Sequence, residues 1–186
     1  MAFPNELKNK LMNVFEQFTQ AFKVITNDHA YIHEGIMFVA FDKLVVTAGA
    51  TGEYAFKTPE NGFVHYRLAG INPSADKVDT QIFEDATYTG GTLLEINNKN
   101  RNSDKESLTV VSKNPTFQTP GTLLPGFSSY LPGAEGTGQI RSGTDGKADS
   151  EIVLKQNTVY RFVLTNGSSS TNTVGINLRW YEEIQG

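Results

Sequence analysis

TVYRFVLT (158–165) and TVGINLRWYEEI (173–184) decide how this chain folds. In the first stretch Tyr160, Phe162 and Leu164 occupy every second position, with Arg161 on the opposite side. In the second, Ile176, Leu178, Trp180 and Ile184 oppose Asn177, Arg179, Tyr181 and Glu183. Side chains alternate across a β-strand, so a period of two sends one set to a buried face and the other to solvent. Both stretches therefore read as strands of a sheet with one buried face, and Trp180 is expected in the core.

Working outward, further β-type runs occur at residues 36–41, 43–48, 53–57, 63–69, 76–83, 92–96, 107–112 and 151–153, separated by Gly, Pro, Asn and Ser. No helical periodicity lies between them, so the crossovers that a parallel sheet requires have nowhere to run. The fold class expected is mainly β: an antiparallel β-sandwich of jelly-roll type over residues 28–186. Residues 114–150 are dense in Pro, Gly and Ser and are expected to form a long loop excursion, a candidate contact surface.

The N-terminal part differs in texture. From 5 to 25, Leu7, Leu11, Val14, Phe15, Phe18, Phe22 and Ile25 recur at threes and fours, which predicts an amphipathic helix behind the start signal of Pro4 and Asn5. Such a helix is about 30 Å long and would make residues 1–27 an arm. Its near-heptad stripe suits packing on its own domain or zipping against copies of itself, and three heptads do not separate the two. Because the β region has strands enough to close a core alone, Leu11, Phe15, Phe18 and Phe22 are expected to bury against another chain.

The totals bound the function. The 186 residues carry 16 Lys plus Arg against 20 Asp plus Glu, a net charge of −4, so no basic field recruits phosphate backbones and nucleic acid is not an expected partner. Cysteine is absent, which rules out disulfides and thiolate metal sites and fits a reducing cytosol. No signal-peptide pattern opens the sequence, and the longest apolar run, 36–41, is far short of the roughly 20 residues of a membrane helix. A soluble, unexported protein without membrane contact is expected.

Motifs for chemistry are sparse. His29 and His33 would share one face of a helix as a metal pair does, but the apolar helical pattern ends before them. DHAYIHEG is therefore expected as a polar, extended lead into the first strand, where residues four apart stand about 13 Å from each other. His65 reads as a half-exposed strand residue. In TDGKADSE (144–151) the glycine falls second rather than sixth, which does not match a calcium loop. No Gly-x-Ser-x-Gly elbow, Walker loop or dinucleotide fingerprint occurs. Neither catalysis nor a metal or cofactor is expected, although paired carboxylates brought from distant strands stay open at this point. Tyr54, Tyr66, Tyr88, Tyr130 and Tyr181 are possible platforms for a sugar.

INNKNRNS (96–103) is the most polar stretch, and its Asn and Ser side chains fold back onto backbone amides where strands reverse. It reads as the tip between two neighbouring strands. Asn100, Asn102 and Ser103 would shape the backbone, and Arg101, with five fixed donors, would reach a neighbouring strand or subunit.

The run DKVDTQIFEDATYTGGTLLEINNKNRNS, with DHAYIHEG before it and IVLKQNTVYRFVLTN and LRWYEE after it, resembles a family of tailed-phage and prophage virion proteins that includes head decoration, or cement, proteins. The resemblance covers most of the chain from about residue 27 and leaves the N-terminal helix out. It implies a β-sandwich, usually a homotrimer, bound to the major capsid protein on the outer head lattice. The protein would then reside on the capsid surface of the virion, and in the host cytoplasm during assembly. A tail or fibre role, as a carbohydrate-binding or receptor-binding sandwich, is the alternative.

Overall fold

A computed structural model of the chain describes residues 27–74, 77–127, 129–131 and 151–183. The expected helix at 5–25, with Leu11, Phe15, Phe18 and Phe22, lies outside these residues, as does 132–150 of the expected loop. Helix α1 (Asn27–His33) comes first, followed by β1 (Met37–Val46), β2 (Thr51–Lys57), β3 (Phe63–Pro73), β4 (Val78–Glu84), β5 (Thr87–Thr89), β6 (Thr92–Leu93) and β7 (Ile96–Asn98). Then come β8 (Val110–Lys113), β9 (Thr116–Thr119), β10 (Thr122–Leu123), β11 (Ser129–Leu131), β12 (Glu151–Leu154), β13 (Val159–Asn166) and β14 (Asn172–Glu183).

Every pairing is antiparallel. One sheet runs β12-β3-β14-β1-β7; the other runs β10-β4-β13-β2-β8-β6, with β11 also on β4, and β5 pairs β9 apart from both. The two large sheets face each other in a β-sandwich. Phe38, Leu44, Tyr66, Ile176, Leu178 and Trp180 of the first meet Tyr54, Phe56, Ile82, Tyr160, Phe162 and Leu164 of the second in one buried cluster. At its centre the Phe56 ring stands edge-on to Trp180 (5.2 Å between centroids, 84°), to Tyr66 (5.7 Å, 73°) and to Phe162 (5.8 Å, 62°). This edge-to-face geometry is the one that aromatic quadrupoles favour. The alternation in β13 and β14 thus placed the core correctly, and Trp180 is fully buried.

Four expectations are corrected. Residues 36–41 and 43–48 are parts of one strand, β1, which runs through Asp42 without a break. The carboxylate is tolerated there because it accepts a bond from Tyr54 OH (2.7 Å) and pairs with Lys113 Nζ (2.7 Å), both from the opposite sheet. The run at 92–96 is split between sheets, since β6 joins β8 whereas β7 joins β1. The first part of the stretch at 114–150 is not an excursion, because β9, β10 and β11 find partners in β5 and β4. Lastly, DHAYIHEG is not extended: residues 27–33 are helical and end at Gly35, whose φ of +69° and N–H to Ile32 O (3.0 Å) form a left-handed C-terminal cap.

Candidate functional site

β7 ends on the first sheet and β8 starts on the second, so residues 99–109 cross from one sheet to the other at an end of the sandwich. The tip expected between two neighbouring strands is instead an inter-sheet crossing, and it is bonded back to the body at its start, middle and end. At the start, Asn98 is buried and donates from Nδ2 to Gly35 O (2.8 Å) and to Lys105 O (3.0 Å), while its Oδ1 accepts Asn100 N–H (2.8 Å). In the middle, Asn100 Nδ2 donates to His33 O (3.2 Å) and Lys105 Nζ to Glu34 O (3.0 Å). At the end, the carboxylate of Glu182 accepts Ser107 Oγ–H (2.5 Å), Leu108 N–H (2.9 Å), Thr109 N–H (3.1 Å) and Trp180 Nε1–H (2.9 Å).

Among the four residues singled out in the tip, Asn100 and Ser103 turn inward. Asn100 Oδ1 also accepts Asn102 N–H (3.1 Å), and Ser103 Oγ accepts Lys105 N–H (3.2 Å). Arg101 and Asn102 are exposed. Arg101 donates from Nη1 to Asn97 Oδ1 (2.8 Å), so inside the chain its reach is to β7, the strand that leads into the tip. The grip on the body comes from Asn100, which the sequence singled out, together with Asn98, Lys105 and Glu182, which it did not. Glu182 left a signal, since a carboxylate at an even position of 173–184 falls on the apolar face; Asn98 left none among so many asparagines. Below the tip a cavity of about 540 Å³ is lined by Phe38, Ile96, Asn98, Arg101, Asp104 and Lys105, among others.

Because Arg101 is exposed and makes one such bond, Arg101→Ala is expected to change the unfolding free energy by no more than about 1 kcal/mol. A urea titration checks this. A larger loss would mean that the guanidinium holds the tip together.

A second cluster mounts α1 on the outer face of the first sheet. The Tyr31 ring stacks on Tyr181 (4.0 Å, 21°), and Tyr181 stacks in turn on His65 (4.3 Å, 11°). Beside them Glu151 accepts Tyr181 OH (2.7 Å), pairs with His65 Nδ1 (2.8 Å), and receives Nε and Nη2 of Arg67 (2.9 and 2.8 Å). Partial burial pushes the Glu151 carboxyl up, but bonds from Tyr181, Arg67 and His65 outweigh it and hold its pKa below the usual carboxylate range. Burial likewise raises Asp42, and bonds from Lys113 and Tyr54 reverse the balance; for Glu84 the bond from Lys155 leads, burial opposes it, and Tyr160 adds to the lowering.

All three carboxyls titrate lower in the folded chain than in the unfolded one, so the unfolded chain binds more protons in acid. Their contribution is full above the unfolded value near pH 4 and is lost as the pH falls through the folded values. Urea midpoints measured from pH 7 down to pH 3 should therefore be steady at first and drop below about pH 4. Glu151→Gln should shrink that drop; an unaltered profile would remove Glu151 from the account.

The tyrosines weighed as sugar platforms are placed otherwise. Tyr54, Tyr66 and Tyr181 are buried, and Tyr88 is half-buried against Phe117; nothing is described of the Tyr130 side chain. Among the described residues, Asp42, Glu53, Glu84 and Glu151 are each engaged by a cation, namely Lys113, Arg161, Lys155 and Arg67. Among these same described residues no group of three or more His, Asp or Glu converges as metal ligands, and no helix is long and apolar enough to cross a membrane. No protein-family model, curated protein or solved structure matches the chain.

Proposed function

We propose that this chain is a structural protein of a tailed-phage virion, a decoration or cement protein that binds the major capsid protein on the outside of the head and stabilises the lattice. The observation that carries the reading is the inter-sheet tip, in which Arg101 and Asn102 face solvent on a loop held at three points. A loop ordered before binding loses little entropy on contact, which suits recognition of a fixed lattice. The residues of the tip also carry the resemblance to virion proteins noted above.

Two further features support it. Taking β1, β2, β3, β4, β11, β12, β13 and β14 as strands one to eight, the facing sheets read 1-8-3-6 and 2-7-4-5. In this wrapped order, as in a jelly-roll, each sheet draws on both ends of the chain. Phe41 and Val45, at 67% and 68% exposure, stand on the part of β1 that β7 leaves unpaired. Exposed apolar side chains beside an open strand edge suit a contact between copies, as a homotrimer requires. A trimer on a symmetric lattice site repeats each contact and gains avidity.

The test is co-sedimentation of the purified full chain with expanded phage heads that lack it. Saturable binding, weakened by Arg101→Ala at unchanged stability, is expected; no binding to such heads overturns the reading. The polar cavity beneath the tip is within the size range of small-ligand sites and favours a second reading, a receptor-facing carbohydrate-binding module. Saturable binding to host surface glycan without binding to heads would select it.

A further inference from the structure

α1 presents two different faces. Residues along a helix advance by about 100°, so His29 and His33, each two positions from Tyr31, point roughly opposite to it. Tyr31 is taken up by Tyr181 on the sheet, which leaves both histidines exposed on the far side of the helix. Their rings meet edge to face (4.5 Å, 63°), and their Nε2 atoms lie 3.1 Å apart. One Nε2 must then carry hydrogen and the other accept it.

We propose that His29 and His33 form a two-imidazole chelate for a divalent late transition metal ion: Cu²⁺, Ni²⁺ or Zn²⁺. With metal–nitrogen bonds of about 2.0 to 2.1 Å, two ligands are roughly 2.9 Å apart in a cis octahedral arrangement and roughly 3.4 Å apart in a tetrahedral one. The observed 3.1 Å falls between these values, so both nitrogens reach one ion with only small side-chain adjustment. The ring that donates in the absence of metal shifts its hydrogen to Nδ1, and two neutral imidazoles then offer lone pairs to the ion, a donor set suited to these metals. Water fills the remaining coordination positions. The ion would link the two ends of one helical turn and stiffen α1 on its tyrosine mount.

Isothermal titration of the untagged full chain with Cu²⁺, Ni²⁺ and Zn²⁺ chlorides tests the assignment. One ion per chain is expected, with Cu²⁺ tightest, and affinity should fall at least about tenfold in both His29→Ala and His33→Ala. Retained affinity in either variant, or no binding by the unaltered chain at millimolar metal, overturns the proposal. Should the variants unfold, Ni²⁺ paramagnetic broadening in the unaltered chain decides it: loss of amide signals centred on residues 29–33 supports the chelate, and loss centred elsewhere refutes it.

Discussion

Glu182→Ala is expected to lower the unfolding free energy by about 3 to 5 kcal/mol, the largest effect of any single substitution considered for this chain. The carboxylate is 2% exposed and accepts four hydrogen bonds, two of them from backbone amides of the tip and one from the indole of Trp180. Alanine removes the carboxylate that holds Leu108 N–H and Trp180 Nε1–H, while Thr109 N–H keeps Ser107 Oγ (3.2 Å) and Ser107 Oγ–H keeps Thr109 O (3.4 Å), and each buried donor so stranded costs roughly 1 to 3 kcal/mol. Some of that is recovered where water reaches the tip, which is why the expectation stays below the full sum. Glu182→Gln keeps an acceptor oxygen but turns an NH₂ group toward groups that also donate, so a smaller loss is expected. Urea unfolding followed by tryptophan fluorescence reads both, because Trp180 sits at the site. A loss below about 1 kcal/mol for alanine would show that the tip does not depend on this carboxylate.

Gly35→Ala should be the second most damaging change, at about 2 to 4 kcal/mol. A φ of +69° costs an L-residue roughly 1 to 2 kcal/mol, and the added Cβ would collide with Ser103 Oγ and stand 2.7 Å from Ser103 Cβ. The two costs separate in a double-mutant cycle with Ser103→Gly. Ser103→Gly removes the colliding atoms, so the double variant should regain the steric part and keep only the backbone part. Differential scanning calorimetry of the four proteins gives the coupling. Additive losses would mean that the tip does not press on the α1 cap, and the link between the two would fall.

The same pair of residues explains what was legible beforehand. Ser103 lies in the stretch whose turn-forming asparagines are plain in the sequence, and Gly35 closes the DHAYIHEG segment, yet nothing in the 67 residues between them says that they touch. Their contact exists because β1 carries the chain away from α1 and β7 brings it back beside Phe38–Ala40. Short elements fared similarly. α1 has seven residues, and its half-buried apolar side chains are the three consecutive residues Ala30, Tyr31 and Ile32, so it is too short to show a stripe at threes and fours from which a helix can be read. β5, β6, β9 and β10 span two to four residues each, too few for alternation to register.

By itself the sequence determined the sandwich and its core, because a strand buried on one face must repeat its apolar residues every second position, and Tyr160, Phe162, Leu164, Ile176, Leu178 and Trp180 do so. It also determined that the chain turns after Asn98, since asparagine and serine bond nearby backbone, as Asn98 Oδ1 does Asn100 N–H and Asn100 Oδ1 does Asn102 N–H. Tertiary structure alone decided where that turn goes and what holds it. Asn98, Glu182 and Gly35 acquire their roles from partners 60 or more residues away, and such pairings depend on sheet register, which no local pattern of residues encodes.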